Sequence, residues 1–172
     1  MESSVTDLRS PAMPVILITP DRYQTIRKTI RHLRAQTARN RLEVVIVAPS
    51  FDALDLDEKE LEDLPPVCVV EIGPIQSIGL TYAAGIRRAR APVVALAEDH
   101  SYPDTDWAEA HQQPWAIVGP LVRNANPGSI VGWADLFIAY GPWLEPAPGK
   151  EMDYLPGHNS SYKRELLLPY GI

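Results

Sequence analysis

The sequence predicts an α/β fold built on a mainly parallel sheet with helices on both faces. Two observations carry that reading. Four short β-branched apolar runs alternate with helix-like stretches up to Ala97, the pattern of strand–helix–strand units. The runs are continuous rather than alternating, so each strand is covered on both faces.

The elements follow in order. Residues 14–19, "PVILIT", form the first buried strand. The polar stretch 1–13 before it lacks the apolar core of a signal peptide and reads as a flexible tail. Pro20 and Asp21 stop the strand and open a helix. Over residues 21–37, Tyr23, Ile26, Ile30 and Leu33 recur at helical spacing. Arg22, Arg27, Lys28, Arg31 and Arg34 take the other face, which reads as solvated. Residues 42–48, "LEVVIVA", are the second strand. Residues 49–66 are acidic, helix-like and end in prolines, a surface connection. Residues 67–72 are the third strand. A helix over 77–91 presents Ala83, Ala84 and Gly85, small enough to let a sheet approach closely. Residues 92–97, "PVVALA", are the fourth strand.

Beyond Trp115 the pattern changes. Residues 115–124 hold one more strand candidate, 127–151 are aromatic and loop-rich, and 152–172 hold a strand and a short helix. Trp107, behind the capping residues Asp104 and Thr105, reads as core. His32 and His111 read as surface helix residues.

Composition narrows the function. The 172 residues fit one domain, residues 14–172, and 45% are hydrophobic, enough for a core. A net charge of −6 argues against nucleic acid, whose phosphates want a basic face. Cys68 is the one cysteine, so no internal disulfide is possible and a reducing cytoplasm is expected, the chain free or at the inner membrane face. No apolar run approaches the roughly 18 residues of a membrane span.

The fourth strand runs directly into Glu98, Asp99 and His100. In open α/β sheets ligands bind outside the carboxyl ends of the strands. Strand alternation would put Glu98 and His100 on one side and Asp99 on the other. Acid and imidazole together can hold a divalent cation. The same residues also read as a capped turn with a surface histidine. The glycine-rich loops of Rossmann and P-loop sites are absent from the sequence. Any phosphates bound here are therefore expected to be met by a cation.

From residue 15 onward the sequence resembles the family 2 glycosyltransferases of the GT-A fold. The resemblance lies in "VILITPDRYQTIRKTIRHLRAQT", in "LEVVIVAPS", in "IGLTYAAGIRRARAPVVALAEDH" and in "GHNSSYKREL", taken in that order. It implies a GT-A-like sheet and metal-assisted sugar transfer from a nucleotide-diphosphate sugar to an acceptor (glycan, lipid or small molecule). Glu98–Asp99–His100 stands at the family's DXD position. By that resemblance Glu98 meets the ribose, His100 holds Mn or Mg, and Asp99 assists in both the nucleotide-sugar and the metal contacts. Thr19, Pro20, Asp21 and Ser50 line the nucleoside, and His158 and Asn159 lie on the acceptor side; Trp133, in the aromatic loop-rich stretch, reads either as a sugar-stacking acceptor-side residue or as a plain hydrophobic cover. The other reading is a domain of the same fold that binds nucleotide sugars without catalysis.

Three departures from the family pattern stand out. Ala48–Pro49–Ser50 replaces the acidic segment after the second strand, which leaves the base open. The DXD position ends in histidine, which favours Mn over Mg because imidazole is the softer ligand. The family's general base follows the "KREL"-like helix, so it is expected beyond Ile172, in a segment that a C-terminally truncated chain would lack. Glu165 precedes that position and reads as a surface residue.

Overall fold

The computed structural model describes residues 13–56, 58–62, 64, 66–145 and 149–170. A six-stranded sheet runs through it. The strands are β1 (Met13–Ile18), β2 (Leu42–Ala48), β3 (Val67–Glu71), β4 (Val93–Ala97), β5 (Ile117–Val118) and β6 (Ser160–Lys163). Their order is β3-β2-β1-β4-β6-β5. β1 to β4 are parallel, as the unbroken apolar runs predict, while β6 pairs antiparallel with β4 and β5 antiparallel with β6. β1 opens at Met13, which is fully buried, one residue inside the stretch expected as tail; residues 1–12 lie outside the described residues.

Helices cover both faces. Helix α1 (Tyr23–Arg34) buries Tyr23, Ile26, Ile30 and Leu33 against Val15, Leu17, Val44 and Ala95. Each such aliphatic side chain contributes about 1.5–3 kcal/mol when fully buried. Two short helices, α2 (Phe51–Leu54) and α3 (Glu58–Leu61), bridge β2 to β3, and Leu54 and Leu61 join the same cluster. On the opposite face α4 (Ile78–Arg88) sets Ile86 against Ile16, Val45, Val47 and Val94. Gly85 is what lets α4 sit so low. A Cβ there would overlap Cγ2 of Ile16 and come within 3.1 Å of Cγ2 of Val47.

The elements depart from expectation in three places. The basic face of α1 is not simply solvated. Glu60 accepts hydrogen bonds from Tyr23, Arg27 and Arg31, and these hold its carboxyl at about 2. Lys28 Nζ lies 3.6 Å above the Tyr102 ring. The strand candidate at 115–124 shrinks to two residues, because Pro120 has no N–H to donate. The loop-rich stretch contains helix α6 (Ile130–Tyr140), capped by Ser129, whose Oγ accepts from Gly132 N–H at 3.0 Å. None of its residues is buried.

Both histidines read as surface are also corrected. His32 is half-buried, stacked on Tyr102 with ring centroids 5.4 Å apart. His111 follows α5 (Trp107–Ala110) and is buried, because Ser161 of β6 closes over it, 3.1 Å from Nδ1. Burial lowers its pKa to about 4. Trp107 is buried as expected, 4.7 Å from the His111 ring.

Candidate functional site

Parallel register brings the ends of β1, β2 and β4 to one edge of the sheet. Ile18 pairs with Val47 and Leu17 with Ala97. Thr19, Ser50 and Glu98 therefore all leave the sheet at its carboxyl edge, where open α/β sheets bind ligands. β6 runs the other way, with Ser160 opposite Leu96. The residues just before it, His158 and Asn159, arrive at the same edge.

β4 stops at Ala97, and Asp99 and His100 form a turn. Strand alternation no longer governs these side chains, so Asp99 does not point away from its neighbours. His100 bridges the two acids. Its Nδ1 lies 2.6 Å from Oδ1 of Asp99 and its Nε2 3.4 Å from Oε2 of Glu98. Glu98 is shared further: Ser101 Oγ donates to Oε2 at 3.3 Å, and Nδ1 of His158 lies 3.1 Å from Oε1. Nδ1 of His158 carries the proton of that contact. Its Nε2 is buried and has no hydrogen-bond partner among the described residues. Tyr140, at the end of α6, meets the His158 ring edge-on at 5.4 Å.

The acids set the electrostatics. The hydrogen bond that His100 donates to Asp99, with the charge of Glu98 behind it, raises the pKa of His100 above its ordinary 6.5. Tyr82 donates its hydroxyl to the Ala97 carbonyl at 2.9 Å. Burial first, then the charges of Glu98 and Asp99, push that phenol well above the usual range, so it stays a donor. Burial and Glu98 raise Tyr140 in the same way.

The β1 side is built differently. Thr19 is buried; its N–H donates to Val47 O at 3.0 Å and its hydroxyl to Arg22 O at 3.1 Å. Pro20 and Asp21 face solvent. Oδ1 of Asp21 accepts from the Thr25 hydroxyl and the Arg22 N–H, each at 2.6 Å, and these bonds lower its carboxyl pKa. Ser50 caps α2, accepting from Ala53 N–H at 3.4 Å.

Of the residues singled out in the sequence, Glu98, Asp99, His100 and His158 come together in one cluster. Asn159 joins through its backbone: it sits at φ 54°, in the left-handed region that asparagine tolerates, and its N–H donates to Leu96 O. Trp133 lies on α6, its indole N–H given to Pro127 O at 3.0 Å and its ring stacked on Phe137. The α6 residue that reaches the cluster is Tyr140, two turns further on. Glu165 is exposed. Sequence reading missed Thr29 of α1, which lies buried beneath the acidic turn. Its signal was a polar residue on the apolar face, three residues after Ile26 and four before Leu33.

Among the described residues no three His, Cys, Asp or Glu side chains are arranged to hold a cation alone. The carboxylate oxygens and imidazole nitrogens of the cluster nevertheless suit an ion such as Mn that draws its other ligands from a bound molecule. The orphaned Nε2 of His158 leaves one such donor unused.

No protein-family model matches the chain, and none of the curated proteins searched matches it. Solved structures do. A mannosyltransferase from Pyrobaculum calidifontis, PcManGT, solved in complex with GDP-Man and Mn2+, aligns with a TM-score of 0.64 at 21% identity, over 94% of this chain and 47% of that one. Residues 1–349 of TarS from S. aureus, solved in complex with UDP-GlcNAc, align with a TM-score of 0.64 at 14% identity, over 93% and 47%. The fold is therefore the GT-A fold of glycosyltransferases that the sequence resembles. This chain spans about half the length of the solved chains it matches.

Proposed function

We propose that this chain is a glycosyltransferase domain that binds a nucleotide-diphosphate sugar together with Mn or Mg. The observation that carries the reading is the cluster of Glu98, Asp99, His100 and His158 at the carboxyl edge of a GT-A sheet, beside the end of β1. Asp99 and His100 are the cation ligands and Glu98 faces the ribose. Thr19, Pro20, Asp21 and Ser50 flank the nucleoside. A cation held there by Asp99 and His100 would supply Lewis-acid neutralisation of a leaving diphosphate.

His158 and Asn159 stand on the acceptor side of that cluster, where the Glu98 contact ties His158 to the donor pole as well. Neighbours of this fold were solved with GDP-Man and with UDP-GlcNAc, which supports a nucleotide sugar as donor and leaves guanine and uracil both as candidates. Among the described residues no helix is long and apolar enough to cross a membrane.

The test is calorimetric titration of UDP and of GDP, each with and without Mn. Binding of at least one that Mn strengthens supports the reading. Binding of neither contradicts it.

A further inference from the structure

The loop that follows β4 is fastened to α1 and to Gln36 just past its end. The hydroxyl of Thr29 lies 3.2 Å from the Glu98 carbonyl, 3.0 Å from that of Asp99 and 3.2 Å from that of Ser101. One turn on, Nδ1 of His32 lies 3.1 Å from Pro103 O. Just past the end of the helix, Gln36 Nε2 donates to Asp104 O at 2.6 Å, while its Oε1 accepts from Ala108 N–H at 2.9 Å. Three polar side chains spaced 29, 32 and 36 thus grip the backbone of 98–108 in sequence.

Thr29 differs from the other two. It is fully buried, and a helix interior position against a core would ordinarily take an aliphatic residue. Its single proton is shared among three carbonyls that would otherwise diverge around the turn. Wrapping the backbone about that hydroxyl aims the side chains of Glu98, Asp99 and His100 the other way, toward the open edge, where they touch one another. We infer that Thr29 is the positioning residue of the acidic turn: its hydroxyl fixes the turn geometry on which cation-dependent nucleotide binding depends. The inference rests on the proposed function for its binding readout and on the turn itself for its second readout.

The test compares wild type, Thr29→Ser and Thr29→Val. Valine keeps the shape and loses the donor; serine keeps the donor and loses the methyl. UDP and GDP are titrated with and without Mn, and amide hydrogen exchange is followed at residues 98–101 and along β1 and β2. Thr29→Val is expected to lose about tenfold of the Mn-dependent gain in affinity, the scale of one buried hydrogen bond. Cation-free affinity should fall as well, by less than the Mn-dependent gain, since Glu98, assigned to the ribose, stands on the same turn. Exchange at residues 98–101 should rise by about tenfold or more, with β1 and β2 unchanged. Thr29→Ser should match wild type in both readouts.

Two results overturn the inference. One is exchange at residues 98–101 that is the same in Thr29→Val as in wild type. The other is Thr29→Ser losing as much as Thr29→Val, which would make the methyl's packing the cause. If wild type itself shows no Mn-dependent binding, the proposed function fails, and the exchange comparison still decides the role of Thr29.

Discussion

Nδ1 of His100 lies 2.6 Å from Oδ1 of Asp99, a hydrogen bond within the candidate site. The hydrogen bond favours the charged imidazolium, so the folded pKa of His100 stands above 6.5. The contribution to stability has a definite sign. It is fully present below pH 6.5 and is lost as pH rises through the folded pKa. In the cation-free protein, a proton NMR titration of the His100 ring should give a midpoint above 6.5, and Asp99→Asn should bring it down. An unchanged midpoint in Asp99→Asn would show that the pairing is not formed.

His111 should act in the opposite sense. Burial holds it neutral, at about 4 against 6.5 when unfolded. Its contribution is whole above pH 6.5 and is lost as pH falls from 6.5 toward 4. The loss runs at up to about 1.4 kcal/mol per pH unit, or ~3 kcal/mol in all. Urea unfolding at pH 7 and pH 5 should show that decline in wild type and a flatter one in His111→Gln. Equal slopes would place the acid sensitivity elsewhere.

Gly85→Ala pits two effects against each other. Alanine gains about 1 kcal/mol of helix propensity over glycine. The new methyl would overlap Ile16 and crowd Val47, and overpacking a tight core costs about 1–3 kcal/mol. The cost outweighs the gain, so denaturant unfolding should show net destabilisation of up to ~2 kcal/mol. A more stable variant would mean that α4 can lift from the sheet at no cost.

The first four strands and the helices α1 and α4 were legible because each signal is local. An unbroken run such as Val44–Val47 admits little but a buried strand, and Tyr23, Ile26, Ile30 and Leu33 mark a helix face by spacing alone. Helix α6 was not legible. Its residues "IVGWADLFIAY" show no polar face, and Pro127, Gly128 and Gly141 around it read as breakers. The acidic turn announced itself by ending an apolar strand in two acids. What the turn touches did not, because the partners are distant in sequence: Thr29 is 70 residues from Asp99, and Ser161 is 50 from His111. The side on which Asp99 points was misread because alternation ceases where β4 ceases, at Ala97.

The cation should depend on His100 and the nucleoside on Glu98. Loss of the Glu98 carboxylate in Glu98→Ala should weaken UDP or GDP binding whether or not Mn is present, because its assigned contact is the ribose. Calorimetry of that variant in both conditions checks the assignment. A loss seen only with Mn would make Glu98 a cation ligand instead.

The central claim is that the turn after β4 holds a cation for a nucleotide diphosphate. It is tested most directly by the affinity of wild type and His100→Ala for UDP and GDP, each with and without Mn. The account predicts Mn-dependent binding in wild type, and in His100→Ala a loss of most of that dependence with the cation-free affinity retained. The same Mn dependence in both proteins would contradict it, and would leave Glu98, Asp99 and His100 as a capped turn at the end of a buried strand.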